Sequence, residues 1–448
     1  MGGSMACLAL MVVVLLVTTG FGAKGQATAQ EQLCPANWTL VRLDENSSLR
    51  LGSNIRFGPD NALSNSTALG DVVVLGSNNT VAQTAIGSFS IVGSSNYIAC
   101  STLSSEAQVG QGNSLTSVRL GGKSLLGSDN RLSNSSFGSL NVLLDGNALD
   151  SALLRDRNVI GANNTIAQNS QVLDRNTIGN ANAINATGIG LKNQLGDHNA
   201  LALATLLRNN VIGAQNIITG GTTLNDTNIV GDANTLTGAT SLGTRNRLGA
   251  LNRLSNATLG RANFVYNDNA INQSTLIEAN TLGSRNVLSG SALLDTLNRM
   301  GDSNTIRATR AGQGNKIGSG NALADSVLGD NNVIGDYNVL EGVTVDHNVT
   351  IGNGDSIQRG ATIGADVVIG DCVTVGESAV IGAGSVLGDC ATVDAGASLA
   401  ADSRVGLNVA NCSCALSGAN SGGIGIFEPP VSGADFNMTD ISFGEPRR

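Results

Sequence analysis

Aromatic residues are nearly missing from this chain of 448 residues: Phe, Tyr and Trp together make up 3% of it. A conventional globular core of that length fills itself with many more, so the composition argues against an ordinary packed domain. Charge is scarce as well, at 13% Asp, Glu, Lys and Arg, where an average domain has about 25%. Only five prolines and two histidines, His198 and His347, are present. Two histidines cannot supply a three-histidine zinc site. The net charge of −9 and pI near 4.7 argue against a nucleic-acid partner. What remains is 58 glycines and 41% hydrophobic residues. Their regular placement separates the chain from a disordered one.

The first 29 residues read as a signal peptide. Cys7 to Val17 is an unbroken apolar run, and Ala27-Thr28-Ala29 has the small-x-small form of a cleavage site. About 11 apolar residues are too few for a bilayer that needs ~20, so no membrane span is expected. A secreted, extracellular or cell-surface location follows as the expectation. Asn-x-Ser/Thr sequons agree with it, and Asn65, Asn134, Asn185, Asn256, Asn272 and Asn348 are the candidate glycosylation sites.

The chain repeats itself. The phrase Asn158-Val-Ile160-Gly161-Ala-Asn-Asn164-Thr-Ile166 returns as Asn210-Val-Ile212-Gly213-Ala-Gln-Asn216-Ile-Ile218 and as Asn332-Val-Ile334-Gly335-Asp-Tyr-Asn338-Val-Leu340. The long period is 17 or 18 residues and divides into three hexads, in phase from Leu51 to Val405. From Val345 to Val405 the aliphatic residues fall every six without exception. A hexad suits a short strand that buries one aliphatic side chain, with copies stacking ~4.8 Å apart. One turn cannot bury its own apolar residues, so neighbours supply the core and the ends need caps.

Ile363-Gly-Ala-Asp-Val-Val-Ile369-Gly-Asp-Cys-Val-Thr-Val375-Gly376 carries a known pattern, aliphatic-Gly-x-x-small-x. This part resembles the hexapeptide-repeat superfamily, and the resemblance implies a left-handed parallel β-helix with three flat faces per turn. The expected fold is therefore all-β, one long solenoid of triangular section, with roughly 20 turns and a length of about 100 Å. The expected organisation is a signal peptide over 1–29, an N-terminal cap over 30–50, an Asn-rich β-helix over 51–340, regular hexapeptide turns over 341–406, and a cap and tail over 407–448. The superfamily's enzymes are acyltransferases and gamma-class carbonic anhydrases. The second activity fails on the histidine count, and His347 is the one candidate base for the first. No cofactor is expected.

The three faces differ. Face A has Asn two residues before its aliphatic in nearly every turn, from Asn61 to Asn338, and face C acquires its own column from Asn141 to Asn332. The phase points these amides inward, where they should stack as ladders. The residue between Asn and aliphatic points outward. On face C many of these are apolar, among them Val142, Val159, Val211, Ile229, Phe264 and Val333, which form a candidate association face. On face B, Thr223, Thr258, Thr275 and Thr344 look scattered among Leu, Arg and Gly.

Cys372 and Cys390 lie 18 residues apart at one point of successive turns, so their Cα atoms should be about 5 Å apart, inside the disulfide window. Cys34 is within reach of Cys100 and would pin the N-terminal cap, while Cys412 and Cys414 have no evident partner. The expected function is a non-enzymatic structural glycoprotein, rigid and rod-like, of a cell wall, matrix, surface filament or adhesive layer. Its expected partner is itself or an extracellular polymer or protein. Ice binding or glycan binding is the alternative, and a diverged acyltransferase is a further one.

Overall fold

The computed structural model describes residues 41–43 and 50–406, apart from 65–66, 239–240, 257, 274 and 291–292. The signal peptide and most of both expected caps, with Cys34, Cys412 and Cys414, lie outside the described residues. Among the described residues there is no helix, and every strand is two to four residues long. The chain divides into two units, 1–192 and 193–448. Each is a parallel β-solenoid with three faces.

In the first unit, face A stacks Leu63 on Val81, Val81 on Ile98 and Ile98 on Leu115. Face B stacks Leu69 on Ile86 and Ile86 on Leu103. Face C stacks Leu75 on Val92, Val92 on Val109 and Val109 on Leu126. The second unit repeats the scheme, with Leu201 on Ile218 and Ile218 on Leu236 on face A, and Ile212 on Val230 and Val230 on Leu248 on face C. These aliphatic side chains are all buried. Each is worth about 1.5–3 kcal/mol against exposure, and the next turn supplies the other wall of its site.

The corners explain the rest of the hexad. A methyl group on Gly87, which follows Ile86, would meet the backbone nitrogen of Ser105 in the next turn at 2.5 Å. Glycine at this place lets the turns approach closely, although Ser104, Leu144 and Arg155 occupy the same place in other turns. Two residues further on, the chain turns through a left-handed conformation, and here side chains are tolerated: Val72 has φ 56° and Leu140 φ 63°. That conformation costs roughly 1–2 kcal/mol for an ordinary residue. A backbone bond between turns offsets it, from Val72 N–H to the Ser53 carbonyl at 2.7 Å and from Leu140 N–H to that of Gly122 at 3.0 Å.

The buried Asn columns form spines. In the first unit the Asn79 backbone N–H and its Nδ2 both donate to Asn61 Oδ1, at 2.9 and 3.0 Å. Asn96 N–H donates in turn to Asn79 Oδ1 at 2.9 Å, and Asn96 Nδ2 reaches the Gly110 carbonyl at 2.9 Å. Amide-to-amide stacking is thus only part of the pattern. Each Oδ1 first takes the main-chain N–H of the next residue in the column, and most Nδ2 groups bond the neighbouring amide, a corner carbonyl or both, those of Asn252, Asn298 and Asn332 being exceptions. In the second unit Asn216 N–H donates to Asn199 Oδ1 and Asn234 N–H to Asn216 Oδ1, both at 2.8 Å. Hydroxyls do the equivalent on face B, where Ser101 Oγ accepts Val118 N–H at 3.1 Å and donates to the Ala99 carbonyl.

The regular hexapeptide turns of the second unit continue the same ladder, with Val339 opposite Ser356 and Val333 opposite Thr350. Their inward corner residue is mostly apolar, as at Ala361, Val373, Ala379 and Ala391, with Asp355 and Ser385 as buried polar exceptions. Ala361 N–H now bonds the Gln358 carbonyl of its own corner at 3.2 Å, and Ala379 N–H that of Gly376 at 3.3 Å.

Candidate functional site

Alternation in the two-residue strands of face C buries one side chain and turns the other out. In the first unit the outward register runs Arg56, Val74, Ile91, Gln108, Leu125, Val142, Val159 and Thr177. Beyond Arg56 no charge interrupts it. Val159 is 42% exposed, and Val142 is half-buried between its neighbours. The corner beside this column adds Val72, Leu140 and Phe89, the last 62% exposed. An open groove of about 670 Å³ lies between corner and column, lined by Phe89, Glu106, Gln108, Lys123, Ser124 and Leu125. Lys123 Nζ and Glu106 Oε2 face each other on its rim at 3.8 Å.

The second unit's face C is mixed. Its outward register reads Val211, Ile229, Arg247, Phe264, Thr281, Arg299, Lys316 and Val333. Val211, Ile229 and Val333 are half-buried, whereas Phe264 is exposed and carries the Arg247 guanidinium 5.5 Å from its ring centre. That distance is within the range of a cation–π contact. All six expected association residues point outward, but they do not belong to one uniform strip. The first unit's run is apolar and the second's is studded with cations.

Face B of the second unit holds a column that the sequence reading undercounted. Thr205 pairs with Thr223, Thr223 with Ser241, Ser241 with Thr258 and Thr258 with Thr275. Five outward hydroxyl residues therefore follow one another in successive turns before Leu293 and Arg310 end the run. The signal was present as Ser or Thr at spacings of 18, 18, 17 and 17.

Asn134, Asn185, Asn256 and Asn272 occupy the corner after face A or the strand end leading into it. Asn134 and Asn256 are exposed corner residues with φ of 45° and 52°. Asn272 ends its face A strand and is exposed, and Asn348 is exposed on another corner. Asn185 also ends its strand, but it is half-buried and its Oδ1 is buried with no hydrogen-bond partner. Asn65 lies outside the described residues.

Cys372 and Cys390 stand two residues before Thr374 and Thr392, which pair across successive turns, and both sulfurs are disulfide-bonded. Cys100 differs from expectation. It is an exposed free thiol whose Sγ lies 3.0 Å from Gln83 Oε1. Its corner is held by a backbone bond, Cys100 N–H to the Ala82 carbonyl at 3.0 Å, and its expected partner Cys34 lies outside the described residues.

His347 Nδ1 lies 2.8 Å from Asp346 Oδ1, and both side chains are more than half exposed. The hydrogen bond raises the His347 pKa above its ordinary value and lowers that of Asp346. The pair orients the imidazole at a solvated corner. Among the described residues no three His, Cys, Asp or Glu side chains converge to hold a metal ion. No described helix is long and apolar enough to cross a membrane.

No family model and no curated protein matches the chain. Among solved structures it is similar to UDP-N-acetylglucosamine O-acyltransferase of Moraxella catarrhalis, at 19% identity over 42% of this chain and 69% of that one, with a TM-score of 0.16. The Francisella novicida UDP-N-acetylglucosamine acyltransferase shares 15% identity over 58% and 66%, with a TM-score of 0.12. The Arabidopsis enzyme shares 11% over 61% and 67%, with a TM-score of 0.13. At these identities and scores no activity carries over. By its own register and hexads, this chain resembles the hexapeptide-repeat β-helix in fold.

Proposed function

We propose that this chain is a secreted, non-enzymatic structural glycoprotein that associates with copies of itself through face C of its first unit. The observation that carries the reading is the uncharged outward run from Val74 to Val159, bordered by exposed Phe89 and Leu140. Contiguous apolar surface on a soluble chain marks an association site more often than chance exposure does. The short strands need no such residues for their own core, because the inward aliphatic of each hexad already supplies it. The Asp346–His347 pair gives little ground for an enzyme, since it stands in open solvent.

The test is light scattering on the mature, glycosylated protein over a concentration series. The wild type should gain mass with concentration. Val74→Thr, Ile91→Thr, Val142→Thr and Val159→Thr together keep most of the branching that suits a strand. They should weaken association by about 100-fold if each removes roughly 0.7 kcal/mol of apolar burial. A wild type that stays monomeric throughout, or a quadruple variant that associates equally well, overturns the proposal.

A second reading rests on the hydroxyl column from Thr205 to Thr275. Evenly repeated hydroxyls suit an extended glycan or an ice surface. Thr223→Val and Thr258→Val should abolish retention on a polysaccharide matrix or thermal hysteresis, whichever the wild type shows. Activity retained in both variants removes this reading.

A further inference from the structure

The face A spine of the second unit does not stop at its last asparagine. Asn321 N–H donates to Asn304 Oδ1 and Asn338 N–H to Asn321 Oδ1, at 2.8 and 2.7 Å. The next position is Asp355, and it behaves as a member of the column. Its N–H donates to Asn338 Oδ1 at 2.7 Å, and its own Oδ1 accepts Val373 N–H at 2.6 Å. The residue is 1% exposed, and its Oδ2 is buried with no hydrogen-bond partner.

That second oxygen takes the place of an amide nitrogen. At Asn338, Nδ2 donates to the Gly352 carbonyl at 2.8 Å. The register pairs Ile351 with Ile369, so the corresponding carbonyl for Asp355 is that of Gly370. A carboxylic acid O–H can serve that acceptor as an amide N–H does. An ionised carboxylate sets lone pairs against lone pairs, in a site that water does not reach.

The surroundings favour the neutral form. Burial raises the Asp355 pKa to about 8, and the nearby Asp371 and Asp389 push the same way, while the Val373 hydrogen bond opposes them. Asp336 holds the corresponding corner two turns before Asp371, with Asn353 between them. On the flanking strand Val339–Glu341, Glu341 is paired with Arg359 at 3.7 Å. The other flanking strand, Thr374–Val375, brings no titratable group, and Cys372 and Cys390 are disulfide-bonded.

We propose that Asp355 is a proton-held latch: its carboxyl keeps a proton in the folded chain and closes the end of the Asn spine, and losing that proton loosens the turns on either side. The sign follows from linkage. A carboxyl whose folded pKa lies above its unfolded one binds more protons in the folded state across the interval between them. Its stabilisation is complete at about pH 4 and below, and falls as pH rises towards 8. Such a protein is tightest in acid and slackens in neutral or alkaline surroundings. The latch sits where the Asn-rich turns meet the hexapeptide turns.

Thermal melting of the full secreted chain from pH 4 to pH 9 tests this, using the wild type, Asp355→Asn and Asp371→Asn. Asparagine is the native residue of this column, so Asp355→Asn is expected to fold. The wild-type melting temperature should fall between pH 4 and 8. Asp355→Asn should lose that slope and melt at least ~5 °C above the wild type at pH 8. Asp371→Asn should keep most of the slope. If Asp355→Asn retains the wild-type slope, or melts below the wild type at pH 8, the latch does not exist. If Asp371→Asn alone flattens the profile, the exposed acidic edge carries the effect and the proposal fails equally.

Discussion

The Asn-rich turns and the hexapeptide turns of the second unit share one strand register and one buried aliphatic column, yet they satisfy the same backbone group differently. At Asn234 the inward corner N–H reaches back a full turn, to Asn216 Oδ1 at 2.8 Å. At Ala379 the equivalent N–H stays in its own corner, on the Gly376 carbonyl at 3.3 Å. One arrangement ties turns to each other and the other completes each turn by itself. Buried amides are tolerable here because the spine returns nearly all of their hydrogen bonds. The apolar corners avoid that requirement and lose a tie between turns. Where they do so, Cys372 and Cys390 supply a covalent one.

The comparison breaks most sharply at the spine itself. Asn216→Ala removes the acceptor of Asn234 N–H and the donor to Asn199, so it should cost about 2–4 kcal/mol by chemical denaturation. Asn298→Ala should cost less, because Nδ2 of Asn298 already lacks a partner. Equal losses at both sites would mean that the amides act as packing volume and not as a hydrogen-bonded spine. Next in size is the covalent tie. Cys372→Ala with Cys390→Ala should lower stability by about 3 kcal/mol, the value for a loop of this order. A native melting curve after reduction would show that local corner closure suffices.

The smallest effect belongs to His347. Its pKa is raised by Asp346, so the contribution of the pair is present below the unfolded histidine value and is lost as pH rises through the folded one. An NMR titration should place the wild-type midpoint above 6.5 and return it towards that value in Asp346→Asn. Melting should be indifferent to either substitution. A stability change there would give a solvated corner a structural weight that its exposure does not suggest.

Period, faces and inward columns were legible because each turn restates them: an aliphatic residue in each hexad, with an Asn two before it on faces A and C of the Asn-rich turns, leaves only one phase. Features that depend on neighbours across turns were harder to see. The five-residue hydroxyl column hides behind a spacing that changes from 18 to 17, and it emerges only when Ser241 is set between Thr223 and Thr258. Asp355 reads as one more solvated corner acid until the register places it under Asn338. The charged breaks at Arg247, Arg299 and Lys316 fall on the second unit's column once the register is drawn, and the first unit's run from Val74 to Thr177 escapes them.

The spine also bears on how long such a protein can be. Every Asn presents the same acceptor forward and the same donor backward, so one turn is interchangeable with the next. Excising residues 216–233 would bring Asn234 under Asn199 with the same bond to make. Inserting a copied turn would likewise leave no donor or acceptor stranded. Length in this architecture is therefore a quantity that can be edited in whole turns, and stature can change between generations of the chain without a new core having to be invented.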